Sequence, residues 1–140
     1  MAAVLLALAA WAGTERAGTF RTTETQLLAA RQTASLQCST RPECDRAWSR
    51  TRRYVEARSS TRIARASTDL IETAQPYLAG EVYLWASRAA SGDGGAVIRL
   101  KAMCEGIYGS DGDPGWQYDA CARKILEIEN GLQSYENPPR

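Results

Sequence analysis

The sequence predicts an α+β domain, a two-layer sandwich in which two main helices cover one face of a three-stranded antiparallel meander sheet, in the order α-β-β-β-α. Three observations carry this expectation. Apolar residues recur at helical spacing through residues 41–58, and again through residues 114–132. Between these segments, two runs of alternating polarity flank the short stretch "SGDGG", the pattern of a β-hairpin. No internal repeat and no second domain interrupts the 140 residues, and residues 38–133 make up the expected single domain.

The chain opens with "MAAVLLALAAWA", a dozen residues without a charge that end in the small-residue triplet Ala10-Trp11-Ala12. Length and ending are those of a secretory signal peptide over residues 1–12, with cleavage before Gly13. The run is too short to span a bilayer, which needs roughly 20 apolar residues. No Lys or Arg precedes it, so the competing expectations are a start further upstream or the first turns of a buried helix. No cysteine follows the triplet directly, so lipid attachment at that point is not expected. Residues 13–37, rich in Thr, Ala, Gln and Arg, read as a linker or a loose helix around Leu27, Leu28 and Ala29.

The first main helix is expected from Arg41 to Arg58. Thr40 with Glu43 fits a capping box, and Pro42 is tolerated in a first turn because its missing N–H would have had no partner there. Cys44, Ala47, Trp48, Thr51 and Val55 share one face, which buries Trp48, while Arg46, Arg50 and Arg53 fall on the opposite side. Residues 61–73 read as one strand bent at Ser67. Val82, Leu84 and Ala86 then alternate with Tyr83, Trp85 and Ser87, and Ala96, Ile98, Leu100 and Ala102 alternate with Val97, Arg99, Lys101 and Met103. Two assignments fit the first alternation: either Tyr83 and Trp85 form a contact patch on the open face of the sheet, or both lie in the core. Asp113 and Pro114 look like the N-cap and first residue of the second helix, whose buried face is Cys121, Ile125, Ile128 and Leu132, widened by Ala122 and Leu126. Residues 134–140 end in a Pro-Pro-Arg tail expected to fray.

Composition narrows the function classes. With 44% hydrophobic and 24% charged residues the chain is ordinary globular material, so disorder is not expected. The net charge of +1 conceals a dipole: residues 1–65 hold 11 Lys/Arg against 5 Asp/Glu, and residues 66–140 hold 6 against 11. Such a split lets the halves of one fold attract each other, and only weakly suggests an anionic partner. There is no histidine. A zinc site usually wants paired cysteines two to four residues apart, often with His, and neither is present. Redox chemistry of the C-x-x-C kind has no matching pair, and a cysteine nucleophile has no His to activate it. Four cysteines in an exported chain therefore favour disulfides, and the natural pairing is Cys38 with Cys44 and Cys104 with Cys121.

Other motifs yield less. The acidic loop with Glu105, Asp111 and Asp113 does not match a calcium loop. The arginines between residues 41 and 65 could meet phosphate on nucleic acid or lipid, or be the solvated face of an amphipathic helix. No Ser-centred elbow, phosphate loop or spaced carboxylate pair supplies a catalytic constellation, so no catalysis, cofactor or metal is expected.

Three segments, "ECDRAW", "ASTDLIET" and "AMCEGIYG", together resemble a group of small exported proteins of proteobacteria described only as hypothetical proteins. The matching positions are Cys44, Asp45 and Trp48, then Thr68 to Thr73, then Cys104, Ile107, Tyr108 and Gly109, so the resemblance covers about residues 43–125. Relatives often carry a cysteine directly after that glycine, where this chain has Ser110, so Cys121 becomes the replacement partner for Cys104. The resemblance implies an exported envelope protein and supplies no catalytic residues.

The combined expectation is a small, disulfide-stabilised envelope protein, periplasmic or secreted, that binds a protein or envelope component. Arg46, Arg50 and Arg53, or Tyr83 and Trp85, would be the contact residues. The alternative is a cytoplasmic nucleic-acid-binding or regulatory protein that keeps residues 1–12 and uses its arginine-rich helix.

Overall fold

A computed structural model describes the backbone of residues 2–139 and the side chains of residues 13–139. The side chains of the expected signal segment lie outside the described residues. The elements are α1 (Ala2–Thr33), β1 (Ser35–Cys38), α2 (Arg41–Arg58), β2 (Ile63–Ala66), β3 (Leu70–Thr73), β4 (Val82–Gly92), β5 (Gly95–Cys104) and α3 (Tyr118–Glu136). The α+β class stands. The sheet has five antiparallel strands in the order β1-β5-β4-β3-β2, which corrects the expected three.

Two strands were hidden for different reasons. The segment read as one bent strand reverses at Ser67, whose Oγ accepts the N–H groups of Asp69 and Leu70 at 3.4 and 3.1 Å. A Ser turn of this kind needs neither Gly nor Pro. Its two arms then pair with each other, Ala66 opposite Ile71. β1 falls inside the stretch assigned as linker. Its four residues become a strand only by pairing with β5, Ser35 opposite Arg99 and Cys38 opposite Ala96.

α1 is a continuous helix where a linker or loose helix was expected. Threonines lower helix propensity, but Thr19, Thr22, Thr23 and Thr25 each return a hydroxyl to the carbonyl four residues back, at 2.9–3.0 Å. Phe20, Leu27 and Ala30 carry its contact side, continued by Ala34 just past its end, with Phe20 stacked obliquely on Tyr118 at 5.1 Å between ring centroids. Polar clasps complete the docking. Glu24 accepts hydrogen bonds from the hydroxyls of Tyr108 (3.0 Å) and Tyr118 (3.1 Å). Arg31 donates through Nε to Glu129 Oε1 at 2.7 Å and through Nη2 to the carbonyl of Ala102 at 3.1 Å. That Glu129 oxygen also accepts the N–H of Ala102, while Oε2, buried, has no hydrogen-bond partner among the described residues.

α2 has the expected bounds. Thr40 Oγ1 accepts the N–H of Glu43, and Glu43 Oε2 accepts the N–H of Ser39, so the box closes one residue before the cap. Its fully buried aromatic is Tyr54, not Trp48. Tyr54 donates to the carbonyl of Ile128 at 2.6 Å, whereas Trp48 is half-buried and donates to the carbonyl of Ser67 at 3.1 Å. α3 starts at Tyr118 rather than at Asp113-Pro114. The preceding loop closes on itself, with Gly109 N–H on the carbonyl of Asp113, and Pro114 opposite Tyr108 in a bridge. At its far end α3 runs to Glu136, whose buried carboxylate accepts from Thr51 Oγ1 at 3.2 Å, so the expected frayed tail is shorter by a helical turn.

The β4–β5 hairpin turns at Asp93 and Gly94, with φ of 51° and 81°. Asp-Gly adopts these left-handed angles readily, which is why it makes tight hairpins. Both disulfides form as expected: Cys38–Cys44 ties the end of β1 to the first turn of α2, and Cys104–Cys121 ties the end of β5 to α3.

Candidate functional site

The pleat of β4 sends Val82, Leu84 and Ala86 into the helix-covered core, and β5 does the same with Ala96, Ile98, Leu100, Ala102 and Cys104. Tyr83 and Trp85 therefore point to the other face, which no helix among the described residues covers. Of the two assignments compatible with the alternation, the open-face one holds.

Strand register sets what surrounds them. Tyr83 stands opposite Met103, and Trp85 opposite Lys101 on one side and Glu72 on the other. Glu72 stands in turn opposite Arg65, whose Nε donates to Glu72 Oε2 at 2.8 Å. Across four strands one row thus reads Arg65, Glu72, Trp85, Lys101. Ala64, Ala74 and Gln75 close one side, and the resulting groove encloses about 560 Å³. The Tyr83 hydroxyl titrates above its ordinary value, first because burial disfavours the phenolate and second because the charge of Glu105 does. Two residues past Gln75, Tyr77 is fully exposed, followed by the largely exposed Leu78.

The arginine stripe lies elsewhere. Arg46, Arg50 and Arg53 are exposed on the outer side of α2, toward the C-terminal end of α3. Arg50 Nη1 reaches the carbonyl of Glu136 at 3.5 Å and its carboxylate at 3.9 Å. Among the described residues Arg46 and Arg53 have no ion pair, while Arg52 pairs with Glu56 and Arg58 with Glu127. Because α2 packs on the opposite face of the sheet from Tyr83 and Trp85, the two groups of candidate residues form separate surfaces.

Glu72, Lys101 and Met103 complete the groove and were not singled out from the sequence. The turn alone would have misplaced two of them. Gly92 pairs with Gly95 around Asp93-Gly94, a register that would set residue 102 opposite residue 85, and only a bulge between Ala90 and Gly92 shifts it so that Lys101 stands opposite Trp85 and Met103 opposite Tyr83. In the acidic loop, Asp111 Oδ1 accepts the N–H of Asp113 at 3.1 Å, the ordinary work of an Asp in a turn. Among the described residues no three Cys, Asp or Glu side chains gather as metal ligands.

Neither a protein-family model, nor a curated protein, nor a solved structure matches this chain. Two disulfides fit an oxidising compartment. No helix among the described residues is long and apolar enough to cross a membrane.

Proposed function

We propose that this chain is a small exported protein of the bacterial envelope, periplasmic or secreted after removal of residues 1–12, and that it acts without catalysis by binding a protein or envelope component through the open face of its sheet. The observation that carries this reading is the uncovered groove floored by Tyr83, Trp85 and Met103. Tyr, Trp and Met are the residues enriched where proteins meet, and a few such anchors supply most of the binding energy. The two disulfides support an oxidising address, as does the resemblance in residues 43–125.

The test immobilises the mature protein and captures partners from periplasmic extract. Tyr83→Ser with Trp85→Ser is expected to abolish specific capture, and Arg46→Gln with Arg50→Gln and Arg53→Gln to preserve it. The opposite pattern overturns the open-face reading in favour of the arginine surface. Nucleic acid held on that surface in a salt-dependent way, by a chain whose mass shows residues 1–12 retained, would establish the cytoplasmic alternative.

A further inference from the structure

We propose that the occupant of the open face is a second copy of this chain, packed face to face about a two-fold axis that runs along β4. The inference rests on the reading of that face as the contact surface, and it follows from the order of charges in one cross-strand row. Trp85 sits at the centre of the row, with Glu72 on β3 to one side and Lys101 on β5 to the other. Neighbouring strands are about 4.8 Å apart, so acid and base flank the indole at equal distances.

Rotation by 180° about an axis along β4 turns the face over and exchanges left and right. Trp85 then meets the other copy's Trp85, Glu72 meets the other copy's Lys101, and Lys101 meets the other copy's Glu72. An isologous contact requires this self-complementarity, in which residue i meets j and j meets i. The groups are free to engage. Arg65 takes Oε2 of Glu72 and leaves Oε1 open, and Lys101 has no hydrogen bond or ion pair among the described residues.

Apolar contacts reinforce the pairing. Tyr83 also lies on the axis, and Met103, beside it on β5, would meet the small Ala74 of the opposing copy on the β3 side. Face-to-face sheets pack about 10 Å apart, a gap that aromatic side chains from two copies can fill. The edges are poorer routes to association. β2 is four residues long, carries a bulge between Ile63 and Arg65, and displays a charged arginine, devices that discourage strand addition. β4 and β5 are 11 and 10 residues long, and β3 has 4. At about 3.3 Å per residue and about 4.8 Å per strand, each copy contributes about 400 Å². The total of about 800 Å² lies below the range of stable specific interfaces, so this is a weak dimer that forms toward the upper end of the concentrations tested.

Sedimentation velocity of the mature protein from about 1 to 200 μM tests the proposal. A concentration-dependent monomer–dimer equilibrium is expected. Glu72→Lys or Lys101→Glu alone places like charges opposite each other twice per interface and should raise the dissociation constant about 30-fold. The two substitutions together restore both pairs and should restore the dimer. All native cysteines are engaged in disulfides. Tyr83→Cys, on the axis, should therefore be joined into a covalent dimer by a short bis-maleimide spanning about 8 Å, because sheets about 10 Å apart hold the two Cα atoms beyond disulfide reach, and this keeps the idea testable if a charge variant folds poorly. A monomer throughout the range, or a dimer indifferent to the charge swaps, overturns the proposal. A monomer that still captures a partner through Tyr83 and Trp85 overturns self-association while leaving the binding reading intact.

Discussion

Removing each disulfide separately should destabilise the protein by unequal amounts, in an order set by loop length. The Cys104–Cys121 bridge spans 17 positions and Cys38–Cys44 spans 6. On the chain-entropy model, cross-linking loops of these sizes costs the unfolded chain about 10.5 and 7.4 cal/mol/K, or about 3.1 and 2.2 kcal/mol at 25 °C. Both bridges are buried, Cys121 and Cys44 wholly and Cys104 and Cys38 nearly so, so replacing either pair with alanine also leaves a small void, adding up to about 1 kcal/mol to each. With an unfolding entropy of about 0.27 kcal/mol/K for a chain of this size, Cys104→Ala with Cys121→Ala should lower Tm by about 11–15 °C, and Cys38→Ala with Cys44→Ala by about 8–12 °C. Calorimetry measures both, and urea titration adds an independent check. Because the cross-link acts on the unfolded ensemble, its removal lets that ensemble expand, so the m-value should rise. A larger loss from the short loop than from the long one would refute the reasoning, as would a loss below about 1 kcal/mol for Cys104–Cys121. The two together amount to about 5 kcal/mol, comparable to the whole stability of many domains, which is the physical reason a reducing compartment suits this chain poorly.

Three further outcomes are expected. Burial raises the carboxyl of Glu136 above its ordinary 4.5, against the lowering influence of the Thr51 hydrogen bond and the charges of Arg50 and Arg53. Its favourable contribution is therefore complete at acid pH and lost as pH rises through the folded value, so Glu136→Gln should raise Tm at pH 7 by an amount that vanishes near pH 4, read by calorimetry at the two pH values. Arg31→Ala leaves the buried Glu129 carboxylate with only the Ala102 N–H and should cost about 3 kcal/mol by urea titration, much of it recovered when Glu129→Leu is added. Burial, then the hydrogen bond and charge of Glu24, push Tyr108 up to about 12, and Tyr118 rises for the same reasons. The unfolded chain releases these protons first, so the contribution of these two tyrosines should be constant below about pH 10 and stability should fall between pH 10 and 12, a decline that spectrophotometric titration of tyrosinate would track.

Local chemistry determined much of this protein from sequence alone. The start of α2 follows from Thr40, Glu43 and Pro42, which act within one turn. The β4–β5 hairpin follows from Asp93-Gly94 between alternating runs, and the cysteine pairing from short separations of 6 and 17 positions, the second joining the end of a strand to the buried face of the following helix. Long-range contacts decided the rest. β1 is too short to announce itself and exists because β5 offers it hydrogen bonds from residues 96–99. α1 has a stripe of Phe20, Glu24, Leu27 and Arg31 whose meaning depends on Tyr118 and Glu129, nearly a hundred positions away. Alternation along β4 could state that Tyr83 and Trp85 share a face, but not which face the helices would cover. Period-two patterns are symmetric, and only the packing of α2 and α3 against Val82, Leu84 and Ala86 broke that symmetry and left the aromatic face open.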